Sequence, residues 1–285
     1  MAHAMMKSFK YVLAASAMVL AVGSASAETQ GYGDCPLTGE RGTHQITPAV
    51  PGQFTVLVNL PAVGQFNGNT PDTITDGYEF CMAVNIAHRL GLDTVKLVNA
   101  SFDSIVAGQN NEYDIALALI SVTEPRDEVV DFSEPYAESN YGVAAQTGNA
   151  LTEDSIKDAR IGVQAGTTLV PFAQNELGAP TVNVFDDTAA MFTAGVAGTV
   201  DAVMTDLGVV LGQVANSRGK LEVIGRYATG GLTAGVYPEG SDDAEVIDEI
   251  IQELKADGIL KELESAYLLP SWGGVSPDDV PVWNY

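Results

Sequence analysis

The sequence predicts an α/β fold in which two sheet-containing units are joined by two chain crossings. Strand-like and helix-like apolar runs alternate over residues 54–119, and the same alternation restarts beyond Tyr141. Alternation of this kind favours parallel strands covered by helices. A later apolar run, residues 232–236, is expected to return the chain to the first unit. We therefore predict a hinged protein of two lobes, with crossings near Asn140–Val143 and Thr229–Gly235.

The first unit contains three strands and two helices in strict alternation. The helix from Tyr78 to Leu90 carries apolar residues at helical spacing on one face, and Gly91 ends it. In chain order the predicted elements are a strand at 54–58, a helix at 78–90, a strand at 94–98, a helix at 102–107 and a strand at 115–119.

The second unit repeats this order and is followed by a long amphipathic helix. Its predicted elements are a strand at 161–163, a helix from Thr168 to Leu177, a strand at 182–185, a helix at 188–196, a strand at 202–204, a helix at 207–215 and a strand at 221–224. The final helix spans 243–257 and has one apolar face. From Pro270 onward the chain is expected to be irregular.

The first residues of the chain are typical of an export signal. Lys7 and Lys10 precede an apolar run from Tyr11 to Val22, and small residues end at Ala27, which is the pattern of a cleaved signal peptide. The apolar run is shorter than the roughly 20 residues that span a membrane. No cysteine follows the cleavage site directly, which favours a free periplasmic protein over a lipid-anchored one.

These features give the predicted boundaries along the chain. They are a signal peptide at 1–27, an N-terminal extension without a core at 28–51, lobe 1 at 52–140 plus 233–268, lobe 2 at 141–232, and a C-terminal tail at 269–285. Cys35 and Cys81 are the only cysteines. In an oxidising compartment we expect them to form a disulfide between the extension and the first helix, and two unpaired thiols are the alternative.

The formal charge of −24 excludes several classes of partner. Loss of the two signal-peptide lysines would bring it to −26, a field that repels nucleic acids and anionic membranes. None of the paired aspartates has the spacing of a calcium loop, and two cysteines without a nearby histidine make a poor zinc site. We therefore expect no metal and no cofactor.

The segment from Ile120 to Tyr136 places a single arginine, Arg126, behind a short run of hydroxyl residues and ahead of a turn. A guanidinium presents a fork of donors that matches the two oxygens of a carboxylate. A surface arginine paired with Glu124 or Asp127 is the alternative.

This segment resembles the bacterial extracellular solute-binding proteins of polar-amino-acid ABC transporters. The similarity covers about residues 54–268. Asp114, Ser121, Thr123 and Arg126 stand at the family's spacing, and Phe-Ser-x-Pro-Tyr follows at 132–136. The resemblance implies the two-lobe type II periplasmic-binding-protein fold, in which a ligand closes a hinge.

For an amino-acid ligand, the resemblance implies contacts to the carboxylate and to the ammonium. Thr167 and Thr168, after Gly166, would join Arg126 on the carboxylate, although an ordinary helix cap is the alternative for this segment. Asp206, the Ser121 hydroxyl and the Leu119 carbonyl would accept from the ammonium. Capping of the helix that begins at Leu207 is a competing or additional role for Asp206.

Two aromatic residues are similar in position to the residues that contact the ligand side chain in this family. Phe102 begins a short helix, and Phe66 lies in a divergent loop where packing is the alternative. Ala118 and Leu119 replace the serine or glycine of polar-ligand relatives, which favours a less polar pocket and argues against a basic amino acid as the ligand. Glu79 either reaches a ligand side chain or begins a helix, and the sequence favours the helix.

The sequence favours a binding protein over an enzyme. No nucleophile elbow, metal motif or nucleotide loop is present, although a dehydratase-like enzyme on the same fold is the alternative. A receptor sensor domain would need a later membrane span, which the sequence lacks. We expect a monomer that delivers an amino acid or a close derivative to a membrane permease.

Overall fold

The structure is a computed structural model that describes residue 1 and residues 31–285. The signal peptide predicted at 1–27 therefore falls, apart from residue 1, outside the described residues. The strands are β1 Gln53–Val58, β2 Thr94–Asn99, β3 Ile115–Ser121, β4 Asp131–Phe132, β5 Ala137–Gln146, β6 Arg160–Gln164, β7 Thr181–Phe185, β8 Ala202–Asp206, β9 Leu221–Tyr237 and β10 Val282–Trp283.

The helices alternate with these strands. They are α1 Tyr78–Arg89, α2 Phe102–Val106, α3 Glu124–Asp127, α4 Leu169–Pro171, α5 Thr188–Ala197, α6 Leu207–Asn216, α7 Ala244–Ala256, α8 Ile259–Leu263 and α9 Leu269–Ser271. Two π-helical turns, Phe172–Glu176 and Glu264–Leu268, follow α4 and α8. No helix among residues 31–285 is long and apolar enough to cross a membrane.

One sheet has a parallel group of strands at each end and two antiparallel strands between them. Its order is β2-β1-β3-β9-β5-β8-β6-β7, with β4 and β10 also paired to β9. Strand β1 is parallel to β2 and β3, and β6 is parallel to β7 and β8. We call β1, β2 and β3, with the helices and loops that follow them, the first half of the sheet. We call β6, β7 and β8, with the helices and loops that follow them, the second half.

The two antiparallel strands, β5 and β9, carry the chain between the halves. Strand β9 is one strand of 17 residues, whereas the sequence predicted two short strands separated by Gly230 and Gly231. Strand β5 was not predicted. It pairs with β9 from Ala137↔Thr233 to Gln146↔Leu221, with register shifts after Ser139 and Val143. This pairing satisfies backbone groups of β9 on both sides of the glycines, so the glycines do not end the strand.

Each half of the sheet has buried side chains on both faces. The largest core packs α1, α7 and α8 against β1 and also includes Leu207 and Leu211 of α6. A second core lies between α2 and β3, and two further cores lie within the second half of the sheet. Because α6 contributes to the largest core, the two halves are in direct contact.

The N-terminal extension packs into the core of the protein. The sequence had predicted an extension without a core, and the structure corrects this. Tyr32 is 5% exposed, packs in the largest core, and its hydroxyl donates to the carbonyl of Leu92. The predicted disulfide between Cys35 and Cys81 is present, with an S–S distance of 2.01 Å. The extension is therefore fixed to α1 by a covalent bond and by packing.

The C-terminal tail is more regular than the sequence predicted. It contains α9, a 3₁₀ turn at Pro277–Asp279, and β10, which pairs in parallel with Arg226 and Tyr227 of β9. Trp272 packs in the largest core, and Trp283 packs against Tyr227 of β9. These contacts are long-range, which explains why local sequence patterns did not reveal them.

Candidate functional site

A cleft between the two halves of the sheet collects most of the residues that the sequence singled out. It contains about 610 Å³ of empty volume, part of which is open to solvent. Residues of the first half and of the crossing strand that line it include Asn59, Glu79, Phe102, Ala118, Leu119, Ser121, Arg126, Ser139 and Tyr141. Residues of the second half include Gln164, Thr167, Thr168, Thr188, Thr205 and Asp206.

The cleft lies at the carboxyl ends of parallel strands from both halves. Asn59 follows β1, Leu119 and Ser121 end β3, Gln164 ends β6, and Asp206 ends β8. Parallel strands of open α/β sheets direct their carboxyl ends to one edge, where ligand sites lie. The topology therefore explains why residues far apart in the chain meet here.

Arg126 is a buried cation that spans the two halves. It is 7% exposed, its Nη1 donates to the carbonyl oxygen of Ser121 at 2.6 Å, and its Nη2 donates to that of Gly166 at 2.9 Å. Burial lowers the pKa of Arg126 to about 10, which leaves it charged at neutral pH. Among residues 31–285 no carboxylate forms an ion pair with it, so the predicted alternative of a surface pair does not hold.

Phe102 shares the surroundings of this guanidinium. The guanidinium carbon of Arg126 lies 5.4 Å from the centre of the Phe102 ring, a distance at which the ring face attracts a cation. Phe66, in contrast, is 1% exposed and packs in the largest core. It is absent from the lining of the cleft, so the structure does not bring it to the site.

The turn at Gly166, Thr167 and Thr168 faces Arg126 from the second half. Gly166 has a φ of 74°, and a Cβ atom there would lie 2.7 Å from the Cα of Asp103 in α2. The Thr167 hydroxyl donates to the carbonyl of Gln164 at 2.7 Å. The predicted helix from Thr168 to Leu177 is a three-residue α-helix followed by a π turn, so few donors are available from a regular helix end.

Asp206 caps α6 and lines the cleft at the same time. Its Oδ1 accepts from the backbone N–H of Gly208 at 2.8 Å. The residue is partly exposed to the cleft, yet protein atoms surround its carboxyl group closely. Desolvation therefore raises its pKa to about 7, against the opposing effect of the backbone hydrogen bonds from Gly208 and Val209.

Glu79 is fully buried and contacts Leu119 at the end of β3. Its Oε1 accepts from the backbone N–H of Leu119 at 3.0 Å and from the hydroxyl of Tyr136. Desolvation, with a smaller contribution from the charge of Asp206, raises the pKa of Glu79 to about 7 against the opposing effect of the hydrogen bonds from Tyr136 and Leu119. The sequence favoured a helix-start role, and Glu79 is indeed in the first turn of α1, but its side chain reaches across to β3.

The contact with Glu79 coincides with a bulge at the end of β3. Leu119 has a φ of 51°, which is uncommon for a bulky residue, and the pairing of β3 with β9 shifts between Ala116 and Ile120. Two residues further on, the Ser121 hydroxyl lies 2.9 Å from that of Ser139. The bulge places Leu119 on the cleft wall.

A chain of polar side chains crosses the cleft, and the sequence did not predict it. The side-chain amide of Gln164 donates to Asn59 Oδ1 at 3.1 Å, and the hydroxyl of Thr188 donates to Gln164 Oε1 at 2.8 Å. Asn59 and Gln164 each stand at the carboxyl end of a predicted parallel strand, a position that could have marked them. Within the described part of the chain, no cluster of three metal-ligating side chains is present.

The sequence of this chain matches the model of the bacterial extracellular solute-binding proteins, family 3, over residues 63–270. The L-cystine-binding protein TcyJ of Escherichia coli (strain K12) is 24% identical over 219 residues, which cover 75% of this chain and 82% of that protein. The family match runs from before α1 into α9 and so includes strands of both halves of the sheet and most of the residues that line the cleft.

Solved structures share the fold as well. An ancestral arginine-binding protein bound to arginine is 26% identical with a TM-score of 0.68, over 76% of this chain and 98% of that one. The solute receptor for L-cysteine of Neisseria gonorrhoeae is 24% identical with a TM-score of 0.69, over 80% and 95% of the two chains. The predicted type II periplasmic-binding-protein fold is confirmed.

Proposed function

The chain belongs to the bacterial extracellular solute-binding proteins, family 3, and from this we propose that it captures an amino acid, or a close derivative, for an ABC importer. The observation that carries the proposal is Arg126. It is a buried cation on the cleft wall that has no carboxylate partner in residues 31–285. Burying an unpaired charge is costly, and an anionic group of a ligand would offset that cost.

In this proposal the ligand carboxylate binds to Arg126 and to Thr167 and Thr168 on the opposite wall. The ammonium binds to Asp206, to the Ser121 hydroxyl and to the Leu119 carbonyl. All six residues line the same cleft, and Phe102 lines it next to Arg126. Phe66 has no part in this arrangement because it lies in the core.

We further propose that lobe 1, residues 52–140 and 233–268, closes on lobe 2, residues 141–232, around the ligand. The contact of Arg126 with Gly166 and that of Asn59 with Gln164 already join the lobes in this structure. A ligand that binds both walls favours the closed state because its full set of contacts exists only there. A monomer in the periplasm, released by signal-peptide cleavage, would then present the closed shape to its membrane permease.

The proposal assigns binding rather than turnover to the cleft. The matching relatives are named as binding proteins, and the histidine-binding relative of Escherichia coli is named as periplasmic. A dehydratase-like activity on a small carboxylate is the competing proposal. Incubation of the protein with amino acids, followed by mass spectrometry of the solution, would show product if the cleft were catalytic.

Replacement of Arg126 by alanine tests the binding proposal directly. Native mass spectrometry of the purified protein identifies a carried-over amino acid, and calorimetry then measures its affinity. We expect a loss of roughly ten- to over a hundredfold in Arg126→Ala, since a charge-assisted hydrogen bond contributes about 1.5–3 kcal/mol.

The matched control is Arg218→Ala, which removes an exposed arginine that is not part of the cleft lining. It should leave the affinity unchanged, and both variants should keep the circular dichroism spectrum of the parent protein. Unaltered affinity in Arg126→Ala would mean that the ligand carboxylate binds elsewhere.

A further inference from the structure

Glu79 is a carboxylate on the cleft wall that none of the contacts proposed above uses. Its Oε1 is already engaged by the N–H of Leu119 and the hydroxyl of Tyr136. Its Oε2 is buried and has no hydrogen-bond partner among the residues that the structure describes. A buried carboxylate oxygen without a donor is unfavourable, so this atom marks a position where a donor is missing.

The charged and titratable groups around Glu79 do not supply that donor. Tyr136 donates to Oε1, Tyr78 is its neighbour on α1, and Asp206 faces it from the end of β8. Arg126, the cation that lines this cleft, donates instead to the carbonyls of Ser121 and Gly166. The cleft therefore holds two carboxyl groups and one guanidinium, and no ion pair joins them.

An amino acid with an uncharged side chain would leave one of these three protein groups without an oppositely charged partner. In the proposed function, the ligand carboxylate pairs with Arg126 and the ligand ammonium pairs with Asp206. Glu79 then remains beside Asp206 without a cation of its own, and two adjacent buried carboxylates disfavour each other's charged form. A second positively charged nitrogen on the ligand would complete the balance.

We infer that Glu79 Oε2 accepts a hydrogen bond from a second cationic nitrogen of the ligand, so that the cleft selects amino acids of net positive charge. This inference rests on the proposed function, since it needs an amino acid in the cleft. It makes Glu79 a specificity-determining residue in addition to its contact with the bulge at Leu119. The charge of Glu79 then has a larger effect on ligand choice than the apolar side chains of Ala118 and Leu119, from which the sequence predicted a less polar pocket.

Calorimetry with matched ligands separates this role from a purely structural one. L-arginine is compared with L-citrulline, and L-ornithine with L-norvaline, at neutral pH. The wild-type protein should prefer the cationic member of at least one pair by about tenfold or more. In Glu79→Gln, which keeps an acceptor for Leu119 and Tyr136, this preference should disappear while the neutral member binds as before.

Glu138→Gln is the control, because it removes an exposed negative charge that lies outside the cleft lining. It should retain the preference. An equal loss for both members of a pair in Glu79→Gln, or no preference in the wild-type protein, would overturn the inference. If no amino acid of either kind binds to the wild-type protein, the proposed function itself fails, which is a distinguishable result.

A second measurement needs no variant. Because the pKa of Glu79 is raised to about 7, a cation that binds beside it should displace its proton near neutral pH. Calorimetry in buffers of different ionisation heat should therefore report more protons released with L-ornithine than with L-norvaline. Equal release by the two ligands would contradict the pairing of Glu79 with a second nitrogen.

Discussion

At the scale of single residues, Asp206 shows that two competing expectations can both hold. The sequence left open whether it caps a helix or binds a ligand. In the structure its Oδ1 accepts a hydrogen bond from the Gly208 N–H, and the residue also lines the cleft. A carboxylate has two oxygens and several lone pairs, so one cap does not exhaust its capacity to accept. The cap fixes the orientation of the group that faces the cleft.

Asp206→Asn should weaken the binding of α-amino acids far more than that of their deaminated analogues. The amide keeps an acceptor for the Gly208 N–H but removes the negative charge that an ammonium would need. Calorimetry with an amino acid and its analogue without the amino group gives the comparison. Equal losses for the two ligands would show that Asp206 acts only as the cap of α6.

Glu79 should make the unliganded protein less stable as the pH rises toward neutrality. Its pKa is raised from 4.5 to about 7 in the folded state, so the folded protein binds more protons than the unfolded chain between these values. The free energy of unfolding therefore falls with pH across this window, by up to about 1.4 kcal/mol per pH unit.

Urea unfolding at a series of pH values measures this slope. Glu79→Gln should reduce it between pH 4.5 and about 7, because the variant has no proton to lose at that position, and the slope that remains includes Asp206, whose pKa is also raised to about 7. The exposed Glu138→Gln variant is the matched control for the loss of one carboxyl group. A slope that is the same in Glu79→Gln and in the parent would assign the pH dependence to other groups.

At the scale of elements, the disulfide between Cys35 and Cys81 secures the N-terminal extension. It closes a loop with a sequence separation of 46. Restriction of the unfolded chain by a loop of this size contributes roughly 2–4 kcal/mol. The double variant Cys35→Ser, Cys81→Ala should lose about that much free energy of unfolding in urea, since alanine keeps the buried position of Cys81 apolar. A reducing agent should destabilise the wild-type protein and leave the variant unaffected.

Elements that depend on local patterns were predicted well, and those that depend on distant partners were not. The periodicity of α1 and α7 and the apolar runs of β1 and β6 are properties of short segments. Strand β5 contains small and polar residues, and it is a strand because β8 and β9 pair with it on both sides. Such pairing has no local signal in the sequence.

The same distinction applies to the cleft. Arg126, Ser121 and Asp206 were found because their segments resemble a known spacing of motifs. Phe66 was placed by alignment of a divergent loop, and the structure puts it in the core. Asn59 and Gln164 become partners only when the two halves of the sheet meet, so no single segment identifies the pair.

At the scale of the whole molecule, the expected motion is closure of the two lobes around the ligand. We expect solution scattering to give a smaller radius of gyration after an identified ligand is added. The physical reason is that the ligand contacts proposed for Arg126 and for Thr167 lie on opposite walls. Identical profiles with and without a ligand that binds would contradict closure.

Gly166→Ala tests the same motion from the protein side. A Cβ at this position would lie 2.7 Å from the Cα of Asp103 on the other lobe, so closure should be blocked and the ligand-induced change in radius lost. Gly178→Ala is the control. Its φ of 63° imposes similar backbone strain, but its Cβ would have nothing within 4 Å. If both variants close equally, Gly166 does not limit the approach of the lobes.

The tail that joins Trp272 to Trp283 makes the chain pass between the lobes a third time. Strands β5 and β9 lie side by side, so we expect them to form a single hinge. By themselves they would not restrict how far one lobe rotates away from the other. The tail runs from the largest core to β10 through residues 273–281, of which Gly273 and Gly274 have φ values of 65° and 81°. Gly273 lies against Ala215 of α6, so the tail leaves the first lobe beside a helix of the second lobe. We expect this third connection to oppose wide separation of the lobes, so that the unliganded protein opens less than two crossing strands alone would allow.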